Sequence, residues 1–358
     1  MKKDKKICIV TRAMINGGAE RVIAQLANYF VKREIACSII TIDEAPIVYE
    51  LDASISVDAI GKKSDNKVKD RFFRYAELRK RIFQIKPDVV LSMPEDVGIY
   101  VILALIGLKI PVYVSERNNP WVMPDVKITR LLRSIAYPFA KGIIFQTDMA
   151  RSFFPRHIQQ KGIVLQNPVD IARIPEPYVG ERKKVFVAVG RLEKQKNFPM
   201  LIRAFSKFYE KEKNYKLEIY GEGRERSNLE NLIKQLDLGE VVSLPGRNKD
   251  VLNAINDASA FILSSDYEGM PNALIEAMCM GMPVVSTDCP SGGPRELIEN
   301  QKNGILIPVG DVDALAGALY SITDLALAEK MSKESRRLRY SLTSVSIFEN
   351  WEKYLFCE

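Results

Sequence analysis

Two glutamates, Glu268 and Glu276, are separated by seven residues that include a predicted helix start. Gly269 permits a tight turn and Pro271 suits the first turn of a helix, so a helix is predicted to begin at Asn272. The first amides and the positive dipole end of such a helix form an anion site suited to a pyrophosphate. Because carboxylates repel phosphates, the two glutamates are predicted to accept hydrogen bonds from hydroxyl groups, such as those of a nucleotide sugar. A surface glutamate and a helix salt bridge are the structural alternative.

Two cations, Arg191 and Lys196, follow a predicted strand and are five residues apart on one loop. Both side chains are long enough to reach the same diphosphate. A preorganised donor at a leaving phosphate stabilises a transition state by about 3 kcal/mol. The alternative is a solvated basic loop.

Other polar and glycine-rich segments also follow predicted strands. In open parallel α/β sheets, ligands bind beyond the carboxyl ends of the strands. The segments at these positions are Gly17-Gly18, Glu116-Arg117-Asn118, Gly221-Glu222-Gly223 and Gly246-Arg247. If two domains present their strand ends to each other, these segments are predicted to line one cleft.

The elements that would position these residues are short, apolar, β-branched strands alternating with helical patterns. Such apolar runs are typical of a parallel sheet covered by helices on both faces. The predicted strands are residues 7–11, 38–42, 89–92, 112–115, 143–145, 185–189, 217–220, 241–244, 260–263 and 284–286. The predicted helices include residues 19–33, 198–211, 226–236, 273–280 and 313–322. The alternation runs twice, which predicts two doubly wound α/β domains, as a length of 358 residues also favours.

The predicted domains are residues 1–165 and 185–342. Residues 166–184 contain three prolines and no clear period, so they are predicted to be the linker. Residues 343–358 have the pattern of a last helix.

The composition excludes several classes of site. The five cysteines are far apart and form no CxxC pair, which argues against zinc, iron–sulfur and thioredoxin-type sites. The single histidine, His157, excludes multi-histidine metal sites and leaves little room for a Ser-His-Asp triad. Asp311 and Asp313 resemble a metal-binding pair, but their place before a helix predicts a cap instead.

The predicted location is the cytoplasm. The chain begins with no signal-peptide pattern. Its longest uncharged apolar stretch, residues 97–108, has twelve residues, whereas a membrane-spanning helix needs about 18 or more.

These motifs resemble the retaining family 4 glycosyltransferases of the GT-B fold, in the bacterial surface-polysaccharide subgroup. The resemblance extends from residues 17–21 (Gly-Gly-Ala-Glu-Arg) to residues 310–315 (Gly-Asp-Val-Asp-Ala-Leu). The pair of glutamates in residues 268–276 is its most specific part, and residues 190–197 and 291–294 support it. The resemblance implies two Rossmann-like domains that face a central cleft, with the last helix crossing back to the first domain.

The resemblance also implies a reaction. A sugar, expected to be a hexose or an N-acetylhexosamine, would move from UDP to an acceptor with retained anomeric configuration and without a metal or other cofactor. The first domain would bind the acceptor and the second the donor. The catalytic residues implied are Arg191, Lys196, Glu268 and Arg117. The donor-binding residues implied are Gly17, Gly18, Arg247, Gly269, Met270, Pro271, Asn272, Ala273 and Glu276. The acceptor-binding residues implied are Gly18, Glu116, Arg117 and Asn118.

One position departs from the family pattern. Many relatives have a histidine in the amino-terminal domain near the position of Arg117, whereas this sequence has Ser115-Glu116-Arg117. The group that contacts the sugar or the acceptor is therefore left open. His157 lies away from every motif and is predicted to be a surface or structural residue.

The first half of the chain is strongly basic. Residues 1–165 contain 27 Lys and Arg against 17 acids, and residues 62–86 alone contain ten against three. Together with residues 127–139, this segment predicts either two packed helices with a solvated basic face or contact with an anionic membrane leaflet. The resemblance favours a polyprenyl-diphosphate-linked acceptor, used for surface polysaccharides such as lipopolysaccharide or capsule, and a peripheral position at the inner face of the cytoplasmic membrane. No DNA- or RNA-binding motif accompanies the basic residues, so nucleic acid is not an expected partner.

Two other functions are compatible with the same architecture. A nucleotide-sugar epimerase would release a new sugar nucleotide without an acceptor, but the single histidine and the glutamate spacing argue against it. A non-catalytic nucleotide-sugar-binding partner subunit is the second alternative. Loss of Arg191, Lys196 or Glu268 would have favoured it, and all three are present.

Overall fold

A computed structural model of the chain describes residues 5–15, 17–342 and 344–356. The chain divides into two compact units. The first contains Met1–Pro168 and Val345–Glu358, and the second contains Val169–Ser344.

The first domain is built on a parallel sheet, which has seven strands in the described part of the chain. The strands are β1 (Lys6–Thr11), β2 (Ala36–Thr41), β3 (Ser56–Ala59), β4 (Val89–Ser92), β5 (Val112–Ser115), β6 (Gly142–Phe145) and β7 (Gly162–Val164). Their order across the sheet is β3-β2-β1-β4-β5-β6-β7, so the order reverses between β1 and β4. The helices are α1 (Gly18–Lys32), α2 (Lys67–Ile85), α3 (Glu95–Leu105), α4 (Lys127–Ala136), α5 (Asp148–Ser152) and α6 (Arg156–Gln159).

The centre of this sheet is buried on both faces. In β1, five consecutive residues from Ile7 onward are buried, and Ile7 pairs with Cys37 of β2 and Val89 of β4. Helix α1 turns one apolar stripe inward, in which Ile23, Leu26 and others are fully buried. This packing fixes the loop between β1 and α1 at the carboxyl end of the central strand.

The second domain repeats the plan, with a parallel sheet that has six strands in the described residues. The strands are β8 (Lys183–Val189), β9 (Lys216–Tyr220), β10 (Val242–Gly246), β11 (Ala258–Leu263), β12 (Val284–Thr287) and β13 (Ile305–Ile307), in the order β10-β9-β8-β11-β12-β13. The helices are α7 (Phe198–Tyr209), α8 (Arg226–Gln235), α9 (Val251–Ile255), α10 (Asn272–Cys279), α11 (Gly293–Leu297), α12 (Val312–Ser321), α13 (Leu325–Ser335) and α14 (Leu338–Ser341).

Aromatic side chains form much of the core of the second domain. The ring of Phe186 on β8 stacks on Tyr215 at 4.9 Å and meets Phe208 of α7 edge-on at 5.2 Å. The rings of Phe186 and Phe208 are fully buried. The N-cap residue of helix α12 is Asp311, whose carboxylate accepts a hydrogen bond from the Ala314 amide at 2.8 Å. The predicted cap is therefore confirmed.

The last helix, α15 (Ser344–Phe356), packs in the first domain, although the second domain precedes it in the chain. The ring of Phe348 stacks on Tyr29 at 4.9 Å, and the Tyr354 hydroxyl accepts a hydrogen bond from the Ile143 amide at 3.1 Å. Trp351 is fully buried. Thr343, Cys357 and Glu358 of the predicted last helix lie outside the described residues.

The structure differs from the sequence prediction at the edges of the sheets and at the linker. Strands β3, β7 and β13 were not predicted, because β7 and β13 have only three residues each and β3 (Ser56–Ala59) is mostly exposed and has no apolar run. The predicted linker 166–184 does not form a separate segment. From Val169 onward it belongs to the second domain, where Arg339 donates to the Pro175 carbonyl at 2.9 Å and to Glu176 at 2.6 Å.

Candidate functional site

Lys196 and Glu268, which are 72 residues apart in the sequence, form an ion pair in the second domain. Lys196 Nζ lies 2.5 Å from Glu268 Oε1, and their side chains are only 16% and 10% exposed. The Ser265 hydroxyl donates to the same carboxylate oxygen at 2.6 Å. Two donors therefore hold one oxygen of Glu268 in a largely dry environment, where a charge-assisted hydrogen bond is strong.

Backbone and side-chain hydrogen bonds join the two loops that carry this pair. Lys196 ends a 3₁₀ turn after β8, and Glu268 follows β11. The Asp266 amide donates to the Gln195 carbonyl at 2.9 Å, and the Gln195 side chain donates to the Tyr267 carbonyl at 2.8 Å. The Asn197 side-chain amide donates to Asp266 at 2.7 Å. The two loops thus hold each other in register at the carboxyl edge of the sheet.

The loop before α10 is held by a close backbone approach. A Cβ added to Gly293 would lie 1.8 Å from the Gly269 carbonyl oxygen, so only glycine fits at residue 293. The Ser291 hydroxyl donates to the Glu268 carbonyl, and Met270 is buried. These contacts fix the segment that leads from Glu268 into the helix.

Helix α10 starts at Asn272, as the sequence predicts. Its N-cap residue is Pro271, which makes no side-chain hydrogen bond to the first turn. The amides and the positive dipole end of the helix are therefore not neutralised by a cap at this residue. Asn272, Ala273 and Glu276 are all partly exposed at this end of the helix.

Two further strand ends, those of β9 and β10, meet the end of β8 at the same edge of the sheet. Gly221 has φ +144°, and a Cβ there would lie 1.9 Å from the Gly190 carbonyl oxygen. The Gly221 amide donates to the Gly246 carbonyl at 2.9 Å. This packing brings together the turns that carry Arg191 and Arg247, which are both exposed. Within the described part of the chain, neither arginine forms an ion pair.

In the first domain, Glu95 organises the loop that follows β5. Its carboxylate accepts hydrogen bonds from the Arg117 amide at 3.2 Å and from the Asn118 side chain at 3.0 Å. Glu95 itself is almost fully buried, and this burial raises its pKa. Sequence reasoning missed Glu95, although its place just after β4 was a signal that could have found it.

Glu116 does not lie where an acceptor could touch its carboxylate. The residue is 1% exposed, its carboxylate accepts a hydrogen bond from the Tyr137 hydroxyl, and Arg133 lies 3.6 Å away. Burial raises the pKa of Glu116 to about 8. The position of the side chain contradicts the predicted direct contact with an acceptor, because the fold encloses it behind its own loop.

Arg117 is also buried, with 7% of the residue exposed. Its Nη2 donates to the Asn167 side chain at 2.6 Å, and burial lowers its pKa to about 10. Its Nη1 makes no hydrogen bond within the described residues. The Glu20 carboxylate is close enough to favour the charged form of Arg117, so the start of α1 and the loop after β5 are electrostatic neighbours.

Gly17 is the N-cap residue of α1, and Gly18 is the first residue of the helix. The Gly17 amide donates to the Tyr49 hydroxyl at 2.9 Å, and that hydroxyl donates to the Gly17 carbonyl at 2.7 Å. A Cβ on Gly17 would lie 2.0 Å from the Glu20 carboxylate. His157 is exposed on the surface of this domain, as predicted.

The comparisons with known proteins cover both domains. Residues 16–173 match the model of glycosyltransferase family 4, and residues 172–338 match that of glycosyl transferases group 1. The GalNAc-α-(1→4)-GalNAc-α-(1→3)-diNAcBac-PP-undecaprenol α-1,4-N-acetyl-D-galactosaminyltransferase of Campylobacter jejuni is 30% identical over 320 residues, 88% of each chain. The chain belongs to glycosyltransferase family 4. An uncharacterised glycosyltransferase of Haemophilus influenzae is 27% identical to this family 4 glycosyltransferase over 342 residues, 95% of this chain and 96% of its own.

Solved structures show the fold of this family 4 glycosyltransferase. HepE of Anabaena, in complex with UDP and glucose, has a TM-score of 0.85 and 18% identity over 99% of this chain and 100% of its own. Sucrose-phosphate synthase from Thermosynechococcus elongatus has a TM-score of 0.85 and 16% identity over 98% of each chain. The fold is GT-B, with two Rossmann-like parallel sheets.

Membrane-spanning helices and metal-binding clusters are both absent from the described residues. None of their helices is long and apolar enough to cross a bilayer. They contain no cluster of three or more His, Cys, Asp or Glu side chains arranged to hold a metal ion.

Proposed function

We propose that this glycosyltransferase moves a sugar, a hexose or an N-acetylhexosamine, from UDP to a polyprenyl-diphosphate-linked glycan during the synthesis of a bacterial surface polysaccharide. Two Campylobacter jejuni relatives are named for undecaprenyl-diphosphate-linked acceptors, at 30% and 27% identity over 88% and 98% of this chain. The solved HepE structure is a complex with UDP and glucose. These relatives support the proposed donor and acceptor classes.

The Lys196–Glu268 ion pair beside the start of α10 is the observation that carries the proposal. A cation, a carboxylate and the start of a helix whose N-cap residue, Pro271, makes no side-chain hydrogen bond lie within one small region of the second domain. The cation and the helix start suit a diphosphate, whereas the carboxylate suits a hydroxyl of the transferred sugar. Glu276, one turn into α10, is proposed to bind the ribose.

The proposed reaction keeps the anomeric configuration. The bond between the anomeric carbon and the phosphate oxygen breaks while the acceptor oxygen bonds to the same face of that carbon. The departing phosphate oxygen takes the acceptor's proton. Lys196, Arg191 and the start of α10 would stabilise the charge that develops on the diphosphate. These groups supply the positive charge that the leaving group requires, so we propose that no added metal is needed.

The acceptor is proposed to bind in the first domain near Gly18, Arg117 and Asn118. Glu95 would act there as a positioning residue, because it holds the amide of Arg117 and the side chain of Asn118. Glu116 would support the loop from inside the domain. A lipid-linked acceptor places the reaction at a membrane, and we propose a peripheral position at its cytoplasmic face.

The test compares charge-removing variants with matched controls. Lys196→Met and Glu268→Gln are expected to lower turnover at saturating donor by about 100-fold or more, on the scale of losing one electrostatic donor. Lys194→Met, two residues away on the same turn and exposed, and Glu240→Gln, an exposed glutamate of the same domain, are expected to stay within a few-fold of wild type. NMR of the product reports the anomeric configuration, and assays with and without EDTA report metal dependence.

The double variant Lys196→Met/Glu268→Gln separates a catalytic role from a structural one. Removing one partner of a largely buried pair leaves an unpaired charge, whereas removing both does not. A purely structural pair predicts that the double variant recovers both stability and turnover. The proposed function predicts that stability recovers and turnover does not. Recovery of turnover, or an inverted product, would refute the corresponding part of the proposal.

A further inference from the structure

Helices α2, α3 and α4 lie on one face of the first domain. They connect β3 to β4, β4 to β5 and β5 to β6, so each connection runs in the same direction along the sheet. Right-handed crossovers in one direction place their helices on one side. Helix α3 accordingly packs against both α2 and α4. The surface formed by α2, α4 and the loop before α4 is called here the α2–α4 face.

In helix α4, the side that faces the domain carries arginines and the outward side carries large apolar residues, the reverse of an ordinary surface helix. Arg133 is 2% exposed and donates from its guanidinium to the carbonyls of Pro120 and Met123, each at 2.8 Å. Arg130 donates to the carbonyls of Val122 and Pro124, each at 2.8 Å. Arg133 and the half-buried Arg130 therefore both hold the loop that precedes the helix.

Three large apolar residues of α4 point outward instead, whereas Leu132 and Ala136 face the core. Ile128, Leu131 and Ile135, at helical spacing, are more than half exposed. Trp121 in the preceding loop is 45% exposed, and Phe139 just after the helix is 65% exposed. Five large apolar side chains thus form an outward ridge, whose exposure to water is unfavourable.

Helix α2 adds cations and further apolar side chains to the same face. Phe72 is 71% exposed, and Val68, Phe73 and Phe83 are also exposed. The exposed cations in and beside α2 are Lys62, Lys63, Lys67, Lys69, Arg71, Lys80 and Lys86. Of the acids in this segment, only Asp65 is exposed, because Asp70 and Glu77 pair with arginines of the same helix.

We infer that the α2–α4 face docks on an anionic phospholipid bilayer, with the α4 ridge and Trp121 inserted among the headgroups and acyl chains and the α2 cations beside lipid phosphates. In and beside α2, seven exposed cations stand against one exposed acid, Asp65, which pairs with Lys62, so this part of the face complements an anionic surface. Apolar and aromatic side chains next to lysines are typical of interfacial helices. The inference rests on the proposed function only for the presence of the acceptor in a membrane.

The first experiment uses the two tryptophans of the wild-type protein. Trp351 is fully buried, so a change in fluorescence on adding vesicles would report on Trp121. Vesicles of phosphatidylcholine with phosphatidylglycerol are expected to shift the emission to shorter wavelength, and brominated acyl chains are expected to quench it. The Trp121→Phe variant is the control and should lose both effects. An unchanged spectrum at lipid concentrations where the protein cosediments would overturn the inserted ridge.

The second experiment measures cosedimentation with the same vesicles, which contain no acceptor. Each removed cation is expected to weaken binding about 5-fold, so Lys69→Gln, Arg71→Gln and Lys80→Gln together should weaken it about 100-fold. Replacing Ile128, Leu131 and Ile135 by Gln should weaken it about 10-fold or more. The matched controls replace Lys249, Lys302 and Lys330, or Val179, Leu325 and Tyr340, by Gln in the second domain.

All of these positions are exposed, so the unfolding midpoint and the activity on a water-soluble acceptor should match wild type in every variant. Loss of vesicle binding with that activity intact supports the inference. Unchanged vesicle binding in the α2 and α4 variants overturns it. A wild-type dimer that these variants abolish would also overturn it, because the face would then mediate self-association. Failure of the soluble-acceptor assay in wild type would count against the proposed function and leave the vesicle result to stand alone.

Discussion

The contact between Gly293 and Gly269 makes a Gly293→Ala variant a direct test of the loop that enters α10. The new Cβ would lie 1.8 Å from the Gly269 carbonyl oxygen, whereas real Cβ atoms essentially never come closer than 3.0 Å to such an atom. The loop must therefore move by about 1 Å or more, and a misplacement of about 1 Å costs on the order of 100-fold in rate. Overpacking of this kind also costs about 1–3 kcal/mol of stability.

The assay combines UDP affinity by calorimetry, turnover at saturating donor, and the free energy of unfolding. Gly317→Ala is the matched control, because a Cβ there meets no atom within 4 Å and the residue lies inside α12. Alanine in place of a helical glycine is expected to stabilise the protein by up to about 1 kcal/mol. Gly293→Ala with wild-type affinity, turnover and stability would refute the claim that this contact fixes the loop.

Three further predictions concern charge and capping. Because the pKa of Glu116 is raised from 4.5 to about 8, the folded state keeps a proton that the unfolded chain releases, so stability should fall as pH rises through that range. Urea unfolding should show a steeper fall in wild type than in Glu116→Gln, in which the raised pKa of Glu95 still contributes, and equal pH profiles would refute it. Arg191→Ala should lower turnover by about 100-fold, and near-normal turnover would contradict its donor assignment. In thermal unfolding without metal, the wild-type protein should gain about 2.7 kcal/mol of stability at UDP concentrations 100 times Kd. No shift with UDP or any UDP-sugar would contradict the donor assignments. Asp311→Ala should cost about 1 kcal/mol of unfolding free energy, since it removes the cap of α12, and an unchanged value would show that the cap contributes nothing.

The regular parts of the fold could be predicted because their signals are local. The apolar runs at β4 and β5 predict the observed strands to the residue, and the glycine and proline pattern around Asn272 predicts the start of α10. The strand-end rule also placed Lys196 and Glu268 at one edge, since parallel strands end together. Their ion pair is visible only in three dimensions, because 72 residues separate them in the chain.

The burial of Glu116 could not be predicted, because the groups that enclose it come from elsewhere. Tyr137 and Arg133 reach it only when the connection from β5 to β6 folds back onto the sheet. The inward orientation of the arginines of α4 could not be predicted for a related reason. Helical periodicity shows which residues share a face, but it does not show which face turns inward, and the loop carbonyls take the arginines.

The place of α15 has a consequence for biosynthesis. The first domain takes a helix from residues 344–356, and Trp351 of that helix is among its largest fully buried side chains. During translation the amino-terminal domain of a protein usually folds first, while later parts are still being made. Here the ribosome must complete the whole second domain before that tryptophan emerges. Until synthesis reaches the last helix, the nascent first domain therefore has an unfilled site for Trp351, to which a chaperone could bind.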